Sequence, residues 1–337
     1  MTIKDLAAKT GYAVGTVSRA LNNHPNVSER ARKVILEAAA ESGFQLNVNA
    51  KQLKQIHSTT ILVVVKGTAN ELFGEMVESI QNLIARTRYQ LVVDYMDEDS
   101  NEVLRALQLC REKKPLGILF LGGNNENFAR DFGEIDIPCV LVTNDASTLP
   151  FGNLSSVSTD DRDAARCAMD TLIRLGHTRV AIIGGDRTVS DTSRLRYEGC
   201  MRSFADHGIV FDTERDYQGV RYSYRDGYQA TQALLDKGCR FTAIFAIADV
   251  MAIGAIRALH NNGLRVPKDV SVMGFDGLML GSFLVPQLST VIQSARIMAQ
   301  RSVEILLNHI EHGGHAHHEA VPYALQHRES TRRADDV

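Results

Sequence analysis

The sequence predicts an all-α head with a helix-turn-helix motif, followed by an α/β domain of two doubly wound parallel-sheet lobes. Two short amphipathic segments, separated by a glycine-containing turn, occupy the first 22 residues. Near-continuous apolar runs such as ILVVV then recur with helical stretches between them, a pattern typical of parallel strands buried on both faces. A length of 337 residues leaves room for about two or three domains.

The composition indicates an ordinary globular protein, with 44% hydrophobic and 23% charged residues. No apolar run approaches the ~20 residues of a membrane span, and the N-terminus begins as a polar helix rather than a signal peptide. The cysteines lack metal or redox spacing: Cys110, Cys139, Cys167, Cys200 and Cys239. We therefore expect reduced thiols in a cytoplasmic protein with no membrane partner and no cofactor.

The net charge of −3 is divided unevenly along the chain. Residues 1–57 contain eight basic and four acidic side chains, which gives this segment a net charge of +4. The rest of the chain contains 29 basic and 36 acidic side chains, a net charge of −7. A basic head on an acidic body favours a nucleic-acid contact confined to the head, although many solvated helices also carry surplus lysine.

The first two predicted helices bury an apolar set and expose a polar one. The apolar residues recur at helical spacing on both sides of the turn: Ile3, Leu6, Ala7, Val14, Val17, Ala20 and Leu21. Packing Leu6, Ala7, Val17 and Leu21 together would turn four other residues outward: Gly15, Thr16, Ser18 and Arg19. Short polar groups with one cation suit a helix that lies in a major groove. On periodicity alone, an ordinary helical hairpin fits equally well.

A third helix follows the motif. Ser28 is a good N-cap, and Glu29 favours the positive end of the helix dipole. Three residues are expected to face the first two helices: Val34, Ile35 and Ala38. Gly43 suits the C-terminal cap. The resulting head of about 45 residues is small for an independent core.

The words IKDLAAKTG, VGTVSRALN and VSERARKVILEAA resemble the head of the LacI/GalR family of bacterial transcription regulators. The resemblance implies a DNA-binding head over residues 1–45, a hinge helix and linker over 46–58, an effector-binding and dimerisation domain over 59–330, and a tail over 331–337. By motif position it implies DNA contacts from Thr2, Val14, Gly15, Thr16, Ser18, Arg19, Asn22, Asn47, Ala50, Leu53 and Lys54.

The segment FQLNVNAKQLK resembles the family's hinge helix. In that family a hinge helix from each subunit folds in the minor groove and wedges a leucine into the central base step. By position that leucine is Leu53, and the wedge would unstack the step and bend the DNA. Without the resemblance, the segment reads as a polar linker with one leucine. Leu46 and Ala13 replace the family's proline and serine, and Gly15 has no side chain to read a base, so the operator sequence is not predictable.

Eight apolar segments are candidate strands: 61–65, 90–95, 117–121, 139–142, 179–183, 243–246, 271–275 and 321–325. They form two sets that meet around residues 155–161 and 288–292, which predicts two lobes with a cleft between them. The first lobe is expected to contain residues 59–157 and 291–320, and the second residues 158–290 and 321–330. The paired glycines at 184 and 185 lack the G-x-G-x-x-G spacing of a dinucleotide site.

The words LGHTRVAIIGG, SRLRYEGCMRSFADHG and DVMAIGAIRALHNNGLRVPKDVSVMGFDG resemble the family's effector-binding domain, itself similar to type I periplasmic sugar-binding proteins. The resemblance implies effector contacts from Phe73, Asp145, Arg196, Tyr222, Asp249, Asp276 and Gln293. Arg196 would hold hydroxyls or a carboxylate, and Asp276 would accept hydroxyls at the end of a strand. Tyr222 would stack on the ligand, and Phe73 would form the other wall. Without the resemblance, the preferred interpretation is that Arg196 forms a salt bridge at the surface and that Tyr222 is an aromatic residue of the core.

Ala248 stands where many relatives have an asparagine that contacts a sugar. The ligand is therefore held differently or differs from a hexose, and a carboxylate, a nucleoside, a disaccharide or no ligand at all stay open. Five histidines in residues 309–318 raise a metal hypothesis, but incidental histidines in a flexible loop are the preferred interpretation, and no metal is predicted. No GxSxG, HExxH or P-loop is present, so no catalytic residue is predicted.

These features together predict a homodimeric transcription regulator, a repressor of sugar or related catabolic genes. Each head would read one half of a near-palindromic operator, and a small-molecule effector between the lobes would change the affinity for DNA. The sequence does not choose between an inducer and a corepressor. The rival from another class is a solute-binding sensory module without DNA function, whose head docks a partner. An enzyme that acts on the ligand is a third hypothesis.

Overall fold

The computed structural model describes residues 3–21, 27–42, 59–68 and 70–334. The chain divides into two compact units, Met1–His57 and Ser58–Val337. Several residues singled out in the sequence lie outside the described ranges: Thr2, Asn22, Gly43, Leu46, Asn47, Ala50, Leu53 and Lys54. No helix within those ranges is both long enough and apolar enough to cross a bilayer.

Three helices of the first unit pack around one small core. They are α1 (Ile3–Thr10), α2 (Val14–Leu21) and α3 (Glu29–Glu41). Leu6, Val17 and Ile35 are fully buried in that core. Gly11 takes φ 72° in the turn between α1 and α2, and its N–H donates to the Ala7 carbonyl at 3.0 Å. The predicted helix-turn-helix arrangement is confirmed.

Helix α3 has the predicted cap but a different buried face. The Ser28 hydroxyl accepts the N–H of Ala31 at 3.3 Å, so the N-cap prediction is confirmed. The expectation that Val34 faces the first two helices was wrong, because its side chain is 39% exposed. The face of α3 that follows the helical period through Ala31, Ile35 and Ala39 is buried instead.

The second unit contains two six-stranded sheets. The first sheet has the order β11-β5-β4-β3-β1-β2, and all its strands are parallel. Its strands are β1 (Thr60–Lys66), β2 (Gln90–Met96), β3 (Gly117–Leu121), β4 (Cys139–Val142), β5 (Leu154–Ser158) and β11 (His318–Ala320). The helices of this lobe are α4 (Glu71–Ile84), α5 (Glu102–Lys113), α6 (Asn125–Asp131) and α12 (Ala295–His312).

The second sheet has the order β12-β10-β9-β8-β6-β7, and only β12 is antiparallel to its neighbour. Its strands are β6 (Val180–Gly184), β7 (Tyr217–Gly219), β8 (Ala243–Ala246), β9 (Ser271–Asp276), β10 (Ser289–Gln293) and β12 (Tyr323–Gln326). The helices of this lobe are α7 (Asp161–Arg174), α8 (Asp191–Asp206), α9 (Thr213–Asp216), α10 (Tyr224–Asp236) and α11 (Asp249–Asn261). The predicted fold of two doubly wound lobes is therefore confirmed.

The two predicted junctions contain strands of their own. Residues 154–158 form β5 and residues 289–293 form β10, and the chain crosses between the lobes just after each strand. Because β10 pairs with β9 from Ser289↔Met273 onward, residues 291–293 lie in the second lobe rather than the first, and the crossing falls at Ser294.

Polar caps place several helix N-termini at the cleft edge of the first sheet. Asn70, Asn101 and Asn124 follow β1, β2 and β3, and each side chain accepts a backbone N–H from the first turn of the next helix. The carboxyl ends of parallel strands share one edge, so these caps line up where a doubly wound sheet binds ligands.

Candidate functional site

A cavity of about 250 Å³ lies between the two sheets of the second unit, at the carboxyl ends of their strands. First-lobe polar residues in its lining are Lys66, Asn70, Glu98, Asp99, Thr143 and Asn144. Second-lobe polar residues are Asp186, Ser190, Thr192, Arg196, Arg221, Tyr222, Asp276 and Gln293. Both lobes therefore contribute polar side chains to one site.

Arg196 lies at the centre of the second-lobe wall and is only 3% exposed. Its Nε donates to Asp161 Oδ1 at 2.7 Å, its Nη1 donates to the Ile247 carbonyl, and Nη1 lies 3.7 Å from Asp276 Oδ1. Burial opposes the charge of Arg196, but Asp161 and Asp276 raise the pKa of its guanidinium. The guanidinium also lies 3.6 Å above the ring of Phe275. The interpretation of Arg196 as a surface salt bridge was therefore wrong.

Asp276 and Gln293 together present unsatisfied acceptors. Gln293 Nε2 donates to Asp276 Oδ1 at 2.8 Å, whereas Asp276 Oδ2 and Gln293 Oε1 are buried and have no hydrogen-bond donor among the described residues. Asp276 takes φ 122°, which a residue with a Cβ rarely adopts. Burial raises the pKa of Asp276 to about 6, against the opposing effect of Arg196. The arrangement suits a ligand that brings hydroxyl or N–H donors.

Two aromatic side chains border the cavity from opposite lobes. Phe73 on α4 belongs to the first lobe, and Tyr222 precedes α10 in the second. The Tyr222 hydroxyl shares a hydrogen bond of 2.7 Å with Ser193 Oγ, which fixes the position of the ring. Tyr222 lines the cavity rather than the core alone, so a flat or ring-shaped ligand has an aromatic surface on either side.

Asp249, proposed to contact the effector, does not line the cavity. It is fully buried at the start of α11, where it accepts the Thr290 hydroxyl at 2.6 Å and the Leu278 N–H at 2.7 Å. Burial and the neighbouring Asp276 raise the pKa of Asp249 to about 8. Its geometry positions the loop that follows Asp276.

Asp145 also lies outside the cavity lining. Its exposed carboxylate accepts the Ser147 N–H at 2.9 Å and the Ser156 hydroxyl at 3.2 Å. The two preceding residues, Thr143 and Asn144, line the cavity in its place, and Thr143 takes φ 80°. They directly follow β4, so the rule that ligands bind at strand ends was the signal that could have found them.

The mouth of the cavity is bridged by an ion cluster between the lobes. Arg221 of the second lobe contacts Asp97 at 2.6 Å, Glu98 at 3.0 Å and Asp99 at 3.7 Å in the loop after β2. The Tyr224 hydroxyl also donates across the cleft to Glu71. Sequence reasoning missed these residues because they are more than 100 positions apart along the chain.

On the other side of the cavity, Asn124 Nδ2 donates to the Val189 carbonyl at 3.0 Å and Asn125 N–H donates to Asp191 at 2.8 Å. Hydrogen bonds and ion pairs therefore join the lobes on both sides of the site.

Neither Ala248 nor the histidines of residues 309–318 line the cavity. Ala248 is fully buried as the N-cap residue of α11 and makes no side-chain capping bond. His309 and His312 belong to α12, and His318 Nδ1 lies 2.8 Å from Ser156 Oγ. Within the described residues, no group of three or more side chains of the metal-binding types comes together.

Helix α2 exposes several residues of the predicted DNA-contacting set. Val14 is 42% exposed, Gly15 and Arg19 are exposed, and Thr16 and Ser18 are half-buried. Arg19 Nε donates to the Gly15 carbonyl at 3.3 Å, so the guanidinium lies along the helix next to the position that lacks a side chain. This face of α2 carries one cation, Arg19, and short polar groups.

Comparisons with known proteins extend these observations. Residues 2–47 match the family described as bacterial regulatory proteins, lacI family, and residues 169–331 match a periplasmic binding protein-like domain. The chain is 35% identical over 335 residues to the HTH-type transcriptional regulator MalR of Clostridium butyricum, across 98% of this chain and 99% of the relative.

Two solved structures share the whole architecture. A complex of the transcriptional regulator CelR with cellobiose has a TM-score of 0.72. The lac repressor dimer bound to operator and the anti-inducer ONPF has a TM-score of 0.71. Each of these two chains is 25% identical to this chain, and each match covers 98% of this chain and 99% of the solved chain.

A helix-turn-helix head joined to a two-lobed domain with a ligand-sized cleft defines a DNA-binding transcription regulator with a sensory domain. The similarity to MalR extends over nearly the full length of both chains, and it identifies the family. The chain belongs to the LacI family of bacterial regulatory proteins. The relatives are described as transcription regulators, repressors and a catabolite control protein, and none of these descriptions is that of an enzyme.

Proposed function

We propose that this protein is a cytoplasmic repressor that binds a near-palindromic operator as a homodimer. Residues 1–45 would read the half-sites, residues 46–58 would form the hinge in the minor groove, and residues 59–330 would bind the effector and the second subunit. The exposed face of α2, the basic charge of the head and the operator complex of the lac repressor support this division.

The effector is proposed to be a sugar or a similar hydroxyl-rich metabolite. The observation that carries this proposal is the pair of buried acceptors on Asp276 and Gln293 that have no donor. Leaving such atoms unpaired is unfavourable, so the site favours a ligand that donates hydrogen bonds to both. The relative solved with cellobiose is consistent with that chemistry.

Binding in the cleft would act on DNA affinity by favouring one arrangement of the lobes. The contacts of Arg221 and Asn124 join the lobes across the cleft, so a ligand that bridges both walls would stabilise the same arrangement. Linkage allows either an inducer or a corepressor by this route.

The second subunit is proposed to cover an apolar patch after β9. The patch consists of Met279, Leu280, Phe283 and Val285, with Phe283 75% and Val285 95% exposed. Contiguous exposed apolar side chains of this kind mark contact surfaces, and the lac repressor relative was solved as a dimer. The patch begins three residues after Asp276, which places the proposed ligand contact next to the proposed subunit contact.

The proposal includes no chemical step on the effector. A ligand incubated with stoichiometric protein would be recovered unchanged, as measured by chromatography. Turnover of the ligand would instead support the alternative that the cleft is an active site.

The first experiment is a thermal-shift panel of sugars, sugar phosphates, nucleosides and small acids on the full-length protein. A ligand at 100 times its Kd stabilises the native state by about 2.7 kcal/mol. We expect a hit among the hydroxyl-rich compounds that is lost in Arg196→Ala. A panel without any hit would contradict the effector proposal, whereas operator selection with the same protein tests the DNA-binding role independently.

A further inference from the structure

Three cations line the cavity, and carboxylates already neutralise each of them. Arg196 has Asp161 and Asp276, and Arg221 has the acidic loop 97–99. Lys66, at the end of β1, has a single carboxylate partner among the described residues, Glu102. Among the described residues, Lys66 is therefore the cavity cation whose charge is balanced by one carboxylate.

The Lys66–Glu102 pair is held in one geometry. Lys66 Nζ lies 2.5 Å from Glu102 Oε2, with the lysine side chain 10% exposed and the glutamate fully buried. Glu102 also accepts the Asn124 N–H at 2.6 Å and the Asn127 amide at 3.0 Å. Three donors thus fix the carboxylate, which cannot turn away when a ligand arrives.

Glu102 lies directly behind the cavity wall. Lys66 lines the cavity and Glu102 does not. Gly123 is part of the lining, and a Cβ at that position would lie 3.4 Å from Glu102 Oε1. Lys66 therefore faces the cavity, while its charge is balanced by a carboxylate behind the wall.

We propose that Glu102 sets the charge preference of the cleft. By neutralising Lys66, it makes the cavity select an uncharged, hydroxyl-rich ligand and reject ligands that carry phosphate or carboxylate groups. This inference rests on the proposed role of the cleft as the effector site. A buried cation without its partner carboxylate would attract an anion instead.

The test compares wild-type protein with Glu102→Gln by isothermal titration calorimetry. The probes are inorganic phosphate and glucose 6-phosphate, each measured beside glucose. Glutamine is close to isosteric and keeps an oxygen for the Asn124 N–H, so the variant removes the charge with little change in shape. We expect the Kd for phosphate to fall about tenfold or more in the variant, because a charge-assisted contact to Lys66 becomes available.

The double variant Lys66→Met/Glu102→Gln should return the phosphate Kd to its wild-type value, because the cation is gone. Asp94→Asn is a matched control, since it removes a first-lobe carboxylate from its ion pair with Arg105 (2.6 Å) away from the cavity lining. It should leave phosphate binding unchanged.

Three results would overturn the proposal. They are an equal phosphate Kd in wild type and Glu102→Gln, a gain that persists in the double variant, and wild-type protein that binds glucose 6-phosphate more tightly than glucose. The last result needs no variant, so the test survives poor folding of Glu102→Gln. Operator binding by wild-type protein is measured separately, so failure of the regulator proposal would be recognised independently.

Discussion

At the scale of single residues, the second-lobe wall combines satisfied and unsatisfied polar groups. Arg196 is held by Asp161 and by the Ile247 carbonyl, whereas Asp276 keeps one buried oxygen without a donor. A buried unsatisfied group costs about 1–3 kcal/mol, and the strained φ of Asp276 adds to that cost. Buried acceptors without a partner are typical of sites where a bound ligand supplies the missing hydrogen-bond donor.

Ligand affinity should depend on the ionisation of Asp276. Its pKa of about 6 in the folded protein is above the unfolded value, so its ionisation destabilises the free protein as the pH rises through 6. A ligand hydroxyl bonds better to the carboxylate than to the acid, so the Kd of the effector should rise as the pH falls from 7.5 to 5. Calorimetric titrations across that range test this, and Asp276→Asn should bind more weakly with a flatter profile. An identical pH profile in the variant would contradict the assignment.

The sequence could predict those site residues that lie in family words, but not the partners that folding brings to them. Arg196 and Asp276 belong to recognisable words, and both line the cavity. Lys66 and Glu102 are 36 positions apart, and neither stands in a motif. Asp145 was predicted to contact the effector, but the cavity lining ends one residue earlier. The direction of each side chain in a loop depends on the turn, and the spacing of apolar residues does not predict it.

At the scale of elements, runs of apolar residues predicted the central strands of both sheets. They did not predict the strands that are polar or short. Residues 61–65 and 117–121 are continuous apolar runs and form strands buried on both faces. Strand β5 contains Ser155, Ser156 and Ser158, whose small polar side chains are buried yet give no apolar signal. The edge strands β7 and β11 have three residues each, too few to show a period.

Helices α10 and α11 should be sensitive to any added side chain where they cross. A Cβ at Gly254 would lie 2.1 Å from the Tyr224 carbonyl oxygen, and one at Gly227 would lie 2.4 Å from that of Met251. We expect Gly254→Ala to destabilise the protein by about 1–3 kcal/mol, because the backbones must separate. Gly74→Ala in α4, where the position is open, should instead stabilise by about 0.5–1 kcal/mol. Thermal or chemical denaturation that gave both variants the same sign would contradict this packing argument.

The apolar patch can be tested as an element of its own. Phe283→Asp places a charge in the proposed subunit contact, and we expect it to shift the protein from dimer to monomer in light scattering. Operator affinity should fall by at least tenfold, because a single head reads only half of a palindrome. Val210→Asp is the control, since Val210 is 93% exposed in the second lobe and lies outside the patch. A dimer that survives Phe283→Asp would place the subunit contact elsewhere.

At the scale of the whole molecule, opposite charges separate the two proposed tasks. The first 57 residues carry a net charge of +4 and the rest a net charge of −7. Phosphate attraction is thus concentrated on the head, and the body contributes repulsion that disfavours nonspecific contact through the effector domain. Operator affinity should accordingly fall with added salt, with the basic side chains of the head as the main source of that dependence.

The two units are coupled if effector binding changes the affinity of the protein for its operator. Linkage requires reciprocity: an effector that changes the operator Kd by a given factor must see its own Kd change by that factor when the operator is bound. For a typical coupling we expect a factor of about 5–150.

Gln293→Met should weaken effector binding and leave the operator Kd of the free protein unchanged, whereas Leu53→Ala should weaken operator binding and leave effector binding intact. Fluorescence anisotropy of labelled operator and calorimetry of the effector supply the two halves of the cycle. Equal operator affinity of wild type and Leu53→Ala would refute the hinge wedge, and a coupling factor of one would show that the cleft and the head are not coupled.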